Sequence, residues 1–468
     1  MKKRILIVSE NFTKGGLETS INATARALKD KTEYFYAVKN YDEAQGLTNL
    51  YKNFNFGYYT TVGEFCEDVQ KLIEIIRKNN IDIVHAQPFY SMFPGIFAAK
   101  ICKIPVVYTW HGMGSYNFPS EMNDGFLFDM LLDYELDKVF CVSLEGKKIM
   151  ENVVLNKEKV IYLPNSIDMD TFNEKKQGNS KSWALISRLD IDKRECIEKF
   201  LNNMKFLDID QLAIYGAGTE SEYLENVVRK NNLEDRVIFR GHSYNLSEEL
   251  DGKYCGIIGN DRVAMEGLAM GYPVILIGYR ISGLIDNDIY DNVKKENFSG
   301  RNIAEVSIDT LRKQIENVYQ NKYDKSFYSQ FRNDYSSLSI AMNYYREIDR
   351  INQNSFLNLE KVFEKIQEVS KEEKFYSSIQ VFDKLQECLR IYIRTPWQKI
   401  FLHNIEEKRQ VYLLHKATDE KILEMQKEME RIQEENSSLE KHISYLYENT
   451  MTYGNLKRKL KKKLRHKQ

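Results

Sequence analysis

Short apolar runs alternate with helix-patterned stretches through the first 280 residues, and this alternation restricts the chain more than any other feature. Arg4-Ile5-Leu6-Ile7-Val8 is nearly uninterrupted in its apolarity, as a parallel strand covered on both faces requires. A loop over 11–16 and a helix over 17–28 follow. An amphipathic helix over 64–78 leads into the strand Ile81 to His85, a helix over 94–101 leads into the strand Pro105 to Trp110, and another strand covers 138–143. A second series opens near residue 160, where Val160 to Leu163 meets the turn Pro164-Asn165. Strands over 183–186, 211–215, 237–239, 255–258 and 273–277 come next, with helices over 219–231 and 262–270. The β-α-β-α order predicts two doubly wound parallel sheets in tandem.

A length of 468 residues suits two such domains with an addition. The reading divides the chain into a first domain over 1–165 and a second over 166–350, whose segment 331–350 is a return helix. A helical extension follows over 351–417, then a coiled coil over 418–448 and a basic tail over 454–468. The apolar fraction of 43% is enough to fill the cores, and a net charge of −1 selects no partner. Cysteines at 66, 102, 141, 196, 255 and 388 form no C-x-x-C pair, so they read as buried reduced thiols rather than zinc ligands or a redox couple. The apolar run after Met1-Lys2-Lys3-Arg4 stops at Val8, too short for a secretory signal, and no run approaches the roughly 20 apolar residues of a membrane span. These features lead to the expectation of a cytoplasmic protein, able to touch a membrane from that side.

The chemistry-bearing residues cluster after strands. Gly15-Gly16 follows the first strand, and Gly216-Ala217-Gly218 follows a strand of the second domain. Glycine turns there let backbone N–H groups approach a diphosphate, although a single one is commonly just a turn. Arg188 and Lys193 share one strand-to-helix loop; they suit a departing diphosphate, or simply a solvated charged loop. Glu266 lies early in a helix, where a carboxylate accepts ribose hydroxyls or merely complements the helix dipole. His111 ends a strand just before Gly112, at the sheet edge where open α/β folds bind ligands, and is either a substrate contact or a structural imidazole.

Taken in order, these pieces resemble glycosyltransferase family 4, retaining enzymes of the GT-B fold. The matching segments are Gly15-Gly16-Leu17-Glu18, Asp82 to Ala86, Pro105 to Gly112, Val142-Ser143, Leu163 to Asp168, Ser187-Arg188-Leu189 with Lys193, Ile214 to Gly218, and Met265 to Ile275. The resemblance implies a nucleotide-sugar donor, with UDP-sugars favoured, and transfer to a hydroxyl of a cell-surface glycan, glycopolymer or lipid-linked acceptor. It implies that Gly15 and Gly16 approach the diphosphate or acceptor, that His111 meets the donor sugar, and that Arg188 and Lys193 bind the diphosphate. Glu266 would hold the ribose, and N–H groups near Gly267 and Leu268 would assist at phosphate, beside Gly216, Gly218 and Arg262. The leaving diphosphate itself would deprotonate the acceptor; no metal or other cofactor is implied, the nucleotide sugar being a substrate.

Two positions depart from the family pattern. Its first paired glutamate falls at Ile258, with Asp261 and Arg262 nearby to compensate, and the glycine after its diphosphate lysine is Arg194, an extra cation. The first departure keeps an alternative open: a catalytically weak GT-B scaffold that dimerises and positions a partner glycosyltransferase.

The extension carries its own pattern. Ile422, Met425, Met429, Ile432, Asn436, Leu439, Ile443 and Leu446 follow 3-4 spacing, a heptad with one asparagine on the seam. It predicts a homodimeric coil, or else a helix packed on its own domain. From Leu456 onward eight lysines and arginines flank Leu456, Leu460 and Leu464. Such a stripe suits the anionic inner face of a membrane; no nucleic-acid-binding motif accompanies it, and a solvated tail has the same composition.

Overall fold

The computed structural model describes residues 2–112 apart from 14, 44, 45 and 89; 131–351 apart from 179 and 244; 358–369; and 380–382 with 384 and 385. The 422–446 heptads, the basic tail and most of the 351–417 extension lie outside the described residues.

The first domain is a seven-stranded parallel sheet in the order β3-β2-β1-β4-β5-β6-β7. Its strands are β1 (Lys3–Phe12), β2 (Thr32–Tyr41), β3 (Leu50–Tyr51), β4 (Ile83–Ala86), β5 (Val106–Trp110), β6 (Lys138–Cys141) and β7 (Val160–Tyr162). Helices α1 (Gly16–Ala27), α2 (Val62–Asn79), α3 (Met92–Ile101) and α4 (Leu144–Val153) connect them. α2 shows how locally this is decided. Thr61 and Glu64 close a capping box at its start, Val62, Phe65, Val69, Leu72, Ile73 and Ile76 line its buried face, and left-handed Asn80 ends it. The sequence reading omitted β2, which pairs with β1 from Lys3↔Thr32 to Phe12↔Tyr41.

The second domain repeats the plan. β8 (Ser182–Ile186), β9 (Gln211–Tyr215), β10 (Val237–Gly241), β11 (Gly256–Gly259), β12 (Val274–Ile277) and β13 (Ile281–Leu284) form a sheet in the order β10-β9-β8-β11-β12-β13. Only β13, an edge strand not anticipated from the sequence, runs antiparallel. The helices are α5 (Ile191–Asn203), α6 (Ser221–Lys230), α7 (Leu246–Leu250), α8 (Asp261–Ala269), α9 (Asn287–Lys295), α10 (Ile308–Tyr319) and α11 (Phe327–Tyr335). The expected pair of doubly wound sheets is therefore the observed architecture.

Two crossings join the domains and lie side by side. Ile167 N–H donates to the Tyr335 carbonyl, and Ser337 N–H to the Ile167 carbonyl, both at 2.8 Å. The return crossing turns at Ser336, which caps α12 (Ser337–Asp349). α11 packs Phe331 and Tyr335 into the second core, whereas α12 packs Ala341, Tyr344 and Ile348 against Ile5, Ile7, Tyr34 and Tyr36 of the first. α13 (Leu359–Val369) then lies against α2 and α3. Beyond it Phe382 packs among Tyr59, Phe65, Tyr90 and Phe93.

Cys66, Cys102, Cys141, Cys196 and Cys255 are free thiols, and burial pushes Cys141, Cys196 and Cys255 up to about 12. Among the described residues one ion pair is fully enclosed: Lys100 of α3 meets Asp137 at 2.8 Å, and the same carboxylate oxygen accepts the Val106 N–H. Lys100→Met leaves that carboxylate buried without its cation and is expected to cost about 3–5 kcal/mol in urea unfolding. Lys100→Met with Asp137→Leu should recover most of the loss; if the single variant unfolds like wild type, the pair is not a determinant of stability.

Candidate active site

In both sheets the strand order reverses beside the first strand, between β1 and β4 and between β8 and β11. Chain connections diverge there and open a crevice at the strands' carboxyl ends. The first crevice is bordered by Gln87 and His111, after β4 and β5, and the second by Arg188 after β8 and Asn260-Asp261-Arg262 after β11.

In the second domain the glycines serve close packing. Gly216 has φ +142°, and a Cβ there would lie 1.8 Å from the Ser187 carbonyl oxygen; a Cβ on Gly218 would lie 2.3 Å from that of Leu189. The loops after β8 and β9 interlock through this contact. Both glycine N–H groups are engaged within the protein, Gly216 with the Gly241 carbonyl and Gly218 with Ser221 Oγ.

The cations converge on the end of β11. Lys193 lies in the first turn of α5, since that helix begins at Ile191 rather than after a longer loop. Its Nζ sits 5.6 Å from the Tyr279 ring centre and 3.8 Å from Asp192. Arg188 is 66% exposed and already bonded to Asp190 and Asp192, at 2.7 and 3.2 Å. Arg194 pairs with Glu220 at 3.1 Å. Asp261 adopts a left-handed backbone (φ 49°) and is held by Asn260 Nδ2 at 2.8 Å. Burial pushes its carboxyl up, opposed by the charges of Lys193, Arg301 and Arg188. Ile258, at the position of the family's first glutamate, is fully buried inside β11.

Arg262 is one of the points where the domains meet. Its Nε holds Glu266 Oε1 at 2.8 Å, one helical turn on, and its Nη1 donates to the Ser166 carbonyl at 2.7 Å. The side chain rests on Gly16 of the first domain, where a Cβ would come within 3.4 Å of Arg262 Cδ. Gly15 is extended and uncapped at the start of α1, and Glu18 folds back over it to accept the Thr13 N–H. Burial raises the Glu18 carboxyl above its ordinary range. A second tie runs from Glu145 of α4 to Asn302 at 3.2 Å and Arg301 at 3.6 Å.

Gly267 and Leu268 need correction. Both belong to the inner face of α8: Leu268 is fully buried, and a Cβ on Gly267 would meet Val274 at 2.9 Å. They are the seventh and eighth residues of the helix, where N–H groups are spent on the i→i−4 ladder, so neither has an N–H to offer phosphate.

In the first domain His111 Nε2 lies 3.1 Å from Gln87 Oε1. Behind it His85 is fixed between Tyr344 Oη (2.9 Å) and Thr109 Oγ1 (2.7 Å). Burial lowers His111 to about 4 and His85 to about 3, so both rings are neutral at physiological pH. A cavity of ≈ 50 Å³ lies among them, α1 and α12. Tyr279, Arg301 and Tyr344 belong to no motif of the sequence; Ser166 lies inside the Leu163–Asp168 segment and Gln87 directly after Asp82–Ala86, but neither position carried a signal of its own role. Residues 113–130, which follow Gly112, lie outside the described residues.

Residues 14–171 match the model of Glycosyltransferase Family 4. An uncharacterized glycosyltransferase of Methanocaldococcus jannaschii is 24% identical over 285 residues, covering 54% of this chain and 71% of its own length. A glycosyltransferase from Rickettsia africae superposes with a TM-score of 0.53 at 18% identity, over 75% of this chain and 99% of that one. The Anabaena protein HepE, crystallised with UDP and glucose, gives 0.56 at 15% identity, over 75% and 100%. The match over 14–171 makes that part of the chain similar to Glycosyltransferase Family 4, and the two sheets have the GT-B fold that the solved glycosyltransferases share.

Proposed function

We propose that the protein transfers a sugar, with retention of configuration, from a nucleotide diphosphate sugar to a hydroxyl of a cell-surface glycan, glycopolymer or lipid-linked acceptor. The observation that carries this reading is the convergence of Lys193, Arg188 and Arg301 on Asp261 at the end of β11, with Arg262 and Glu266 of the same helix resting against the Gly16 turn. The cations would take up the charge of the leaving diphosphate, Glu266 the ribose hydroxyls, and His111 the donor sugar. A UDP-sugar is the favoured donor, supported by the UDP and glucose named in the HepE complex. No metal is part of this scheme, in which the side-chain cations would neutralise the diphosphate. No described helix is long and apolar enough to cross a membrane. Dimerisation through 422–446 and contact of the basic tail with an inner membrane face remain part of the proposal.

A thermal-shift series with UDP, GDP and their sugars tests it, since a bound donor at 100 times its Kd adds about 2.7 kcal/mol of apparent stability. The expected result is a shift with one nucleotide and slow release of that nucleotide from its sugar. No shift with any donor overturns the reading. Binding without turnover favours the second reading, a weak scaffold that positions a partner glycosyltransferase. That alternative rests on Ile258, whose sealed position leaves no carboxylate at the family's first glutamate site.

A further inference from the structure

Tyr279 lies in the short connection from β12 to β13, between Ile277 and Ile281, both buried in the second core. The backbone here is tightly held. Gly278 N–H donates to the Arg280 carbonyl at 3.2 Å and closes the turn. A Cβ on Gly278 would lie 2.4 Å from the Ser299 carbonyl oxygen and 2.8 Å from Asn260 Nδ2, so the turn is pressed against the residue that follows β11 and against the segment that carries Arg301. Tyr279 itself is 62% exposed.

Two cations from different elements reach its ring. Lys193 Nζ, from the first turn of α5, and the Arg301 guanidinium carbon each lie over the ring, 5.6 Å from its centre. Their nearest carboxylates, Asp192 at 3.8 Å and Glu145 at 3.6 Å, stand beyond hydrogen-bond distance, so neither charge is consumed. Arg301 is set by a strained backbone. Asn297, Phe298 and Gly300 have φ of 56°, 61° and 72°, and Phe298 is bulky and fully buried in that left-handed conformation. Such strain persists only where packing imposes it. Here the Asp261 N–H holds the Phe298 carbonyl at 2.7 Å, and the Phe298 ring packs on Phe331 and Tyr335.

We propose that Tyr279 is a positioning residue whose ring keeps Lys193 and Arg301 together beside Asp261, so that both meet one diphosphate. The inference rests on the glycosyl-transfer reading for the identity of that diphosphate. The residue type follows from the chemistry. An aromatic face attracts cations through its quadrupole and carries no net charge. It holds an ammonium and a guanidinium against their mutual repulsion without cancelling either. A carboxylate at position 279 would hold both more strongly, but it would neutralise them and repel the incoming anion. The face is itself negative, so a diphosphate bound here meets the cations and not the ring.

The experiment measures binding of inorganic pyrophosphate, UDP and uridine to full-length wild type, Tyr279→Phe and Tyr279→Leu by titration calorimetry. Tyr279→Phe keeps the aromatic face and should bind all three like wild type. Tyr279→Leu should weaken pyrophosphate and UDP by one common factor, about 10-fold for two exposed cation–π contacts, and leave uridine unchanged. Beside Lys193→Ala the same substitution should cost only about 3-fold, since one contact is already gone. The urea midpoint of Tyr279→Leu should match wild type, because the ring is exposed. Wild-type affinity in Tyr279→Leu, an equal loss in Tyr279→Phe, a loss that spares pyrophosphate, an undiminished loss beside Lys193→Ala, or a lowered urea midpoint each overturns the proposal and leaves the donor-site reading standing. If wild type binds neither UDP nor pyrophosphate, both fall together.

Discussion

Lys193→Ala should lower kcat/KM for the donor by about 10²–10³-fold, the usual loss when one cation aimed at a developing negative charge is removed. Lys193 is only 15% exposed, and its ammonium is not tightly held by Asp192 at 3.8 Å. It therefore keeps its charge available in a site of reduced dielectric, where that charge acts strongly. Arg188→Ala should cost much less. Its guanidinium is two-thirds exposed and already neutralised by Asp190 and Asp192, so it must exchange one carboxylate for another anion to help. Steady-state rates at saturating acceptor decide the order. Wild-type kcat/KM in Lys193→Ala, or a larger loss in Arg188→Ala, refutes this assignment of the cations.

Arg262→Ala should be costly in a second way, through the joint between the domains. Arg262 and Glu266 are only 11% and 13% exposed, and the guanidinium also satisfies the Ser166 carbonyl. Its removal takes the guanidinium away from a largely buried carboxylate and frees the second domain from the Gly16 turn. The expected loss is about 3 kcal/mol in the unfolding free energy, at the low end for breaking a buried pair. Glu266→Ala and the double variant complete a cycle, and a coupling near zero would show that the pair does not act as a unit. Donor affinity supplies the second readout. Because Glu266 is the proposed ribose ligand, its bond to Arg262 competes with or aligns that contact. Arg262→Ala is thus expected to change donor Kd in thermal-shift titrations, and an unchanged Kd would confine Arg262 to the joint.

The elements with strong local patterns were legible in sequence. Ile5 to Val8 and Val274 to Ile277 are continuous apolar runs and Ile83-Val84 a shorter one, and each lies in an interior strand. β2 was missed although Tyr34-Phe35-Tyr36-Ala37-Val38 has the aromatic and branched composition of a strand. The start of α5 was read as loop because Ile191-Asp192-Lys193-Arg194 is charged; its apolar face, Cys196, Ile197, Phe200 and Leu201, begins a turn later. Gly267 and Leu268 were misplaced because a motif string does not reveal which face of a helix it presents. Gly216 was recognised as special, but the reason is the Ser187 carbonyl pressed against it, which belongs to another loop.

The sequence by itself determined the two-sheet plan, the switch-point loops and the set of cations and carboxylates placed on them. These follow from continuous apolar runs, from the 3.6-residue period of amphipathic helices and from glycine turns, all of them confined to neighbouring residues. Tertiary structure alone decided which of those groups meet. Gln87 and His111 are 24 residues apart, Arg262 and Ser166 are 96 apart, and Glu145 and Asn302 are 157 apart. No local periodicity encodes such distances. They are set when the twisted sheets pack, when the paired crossings at Ile167 and Ser336 fix one domain against the other, and when buried polar atoms must find the partners that this packing leaves within reach.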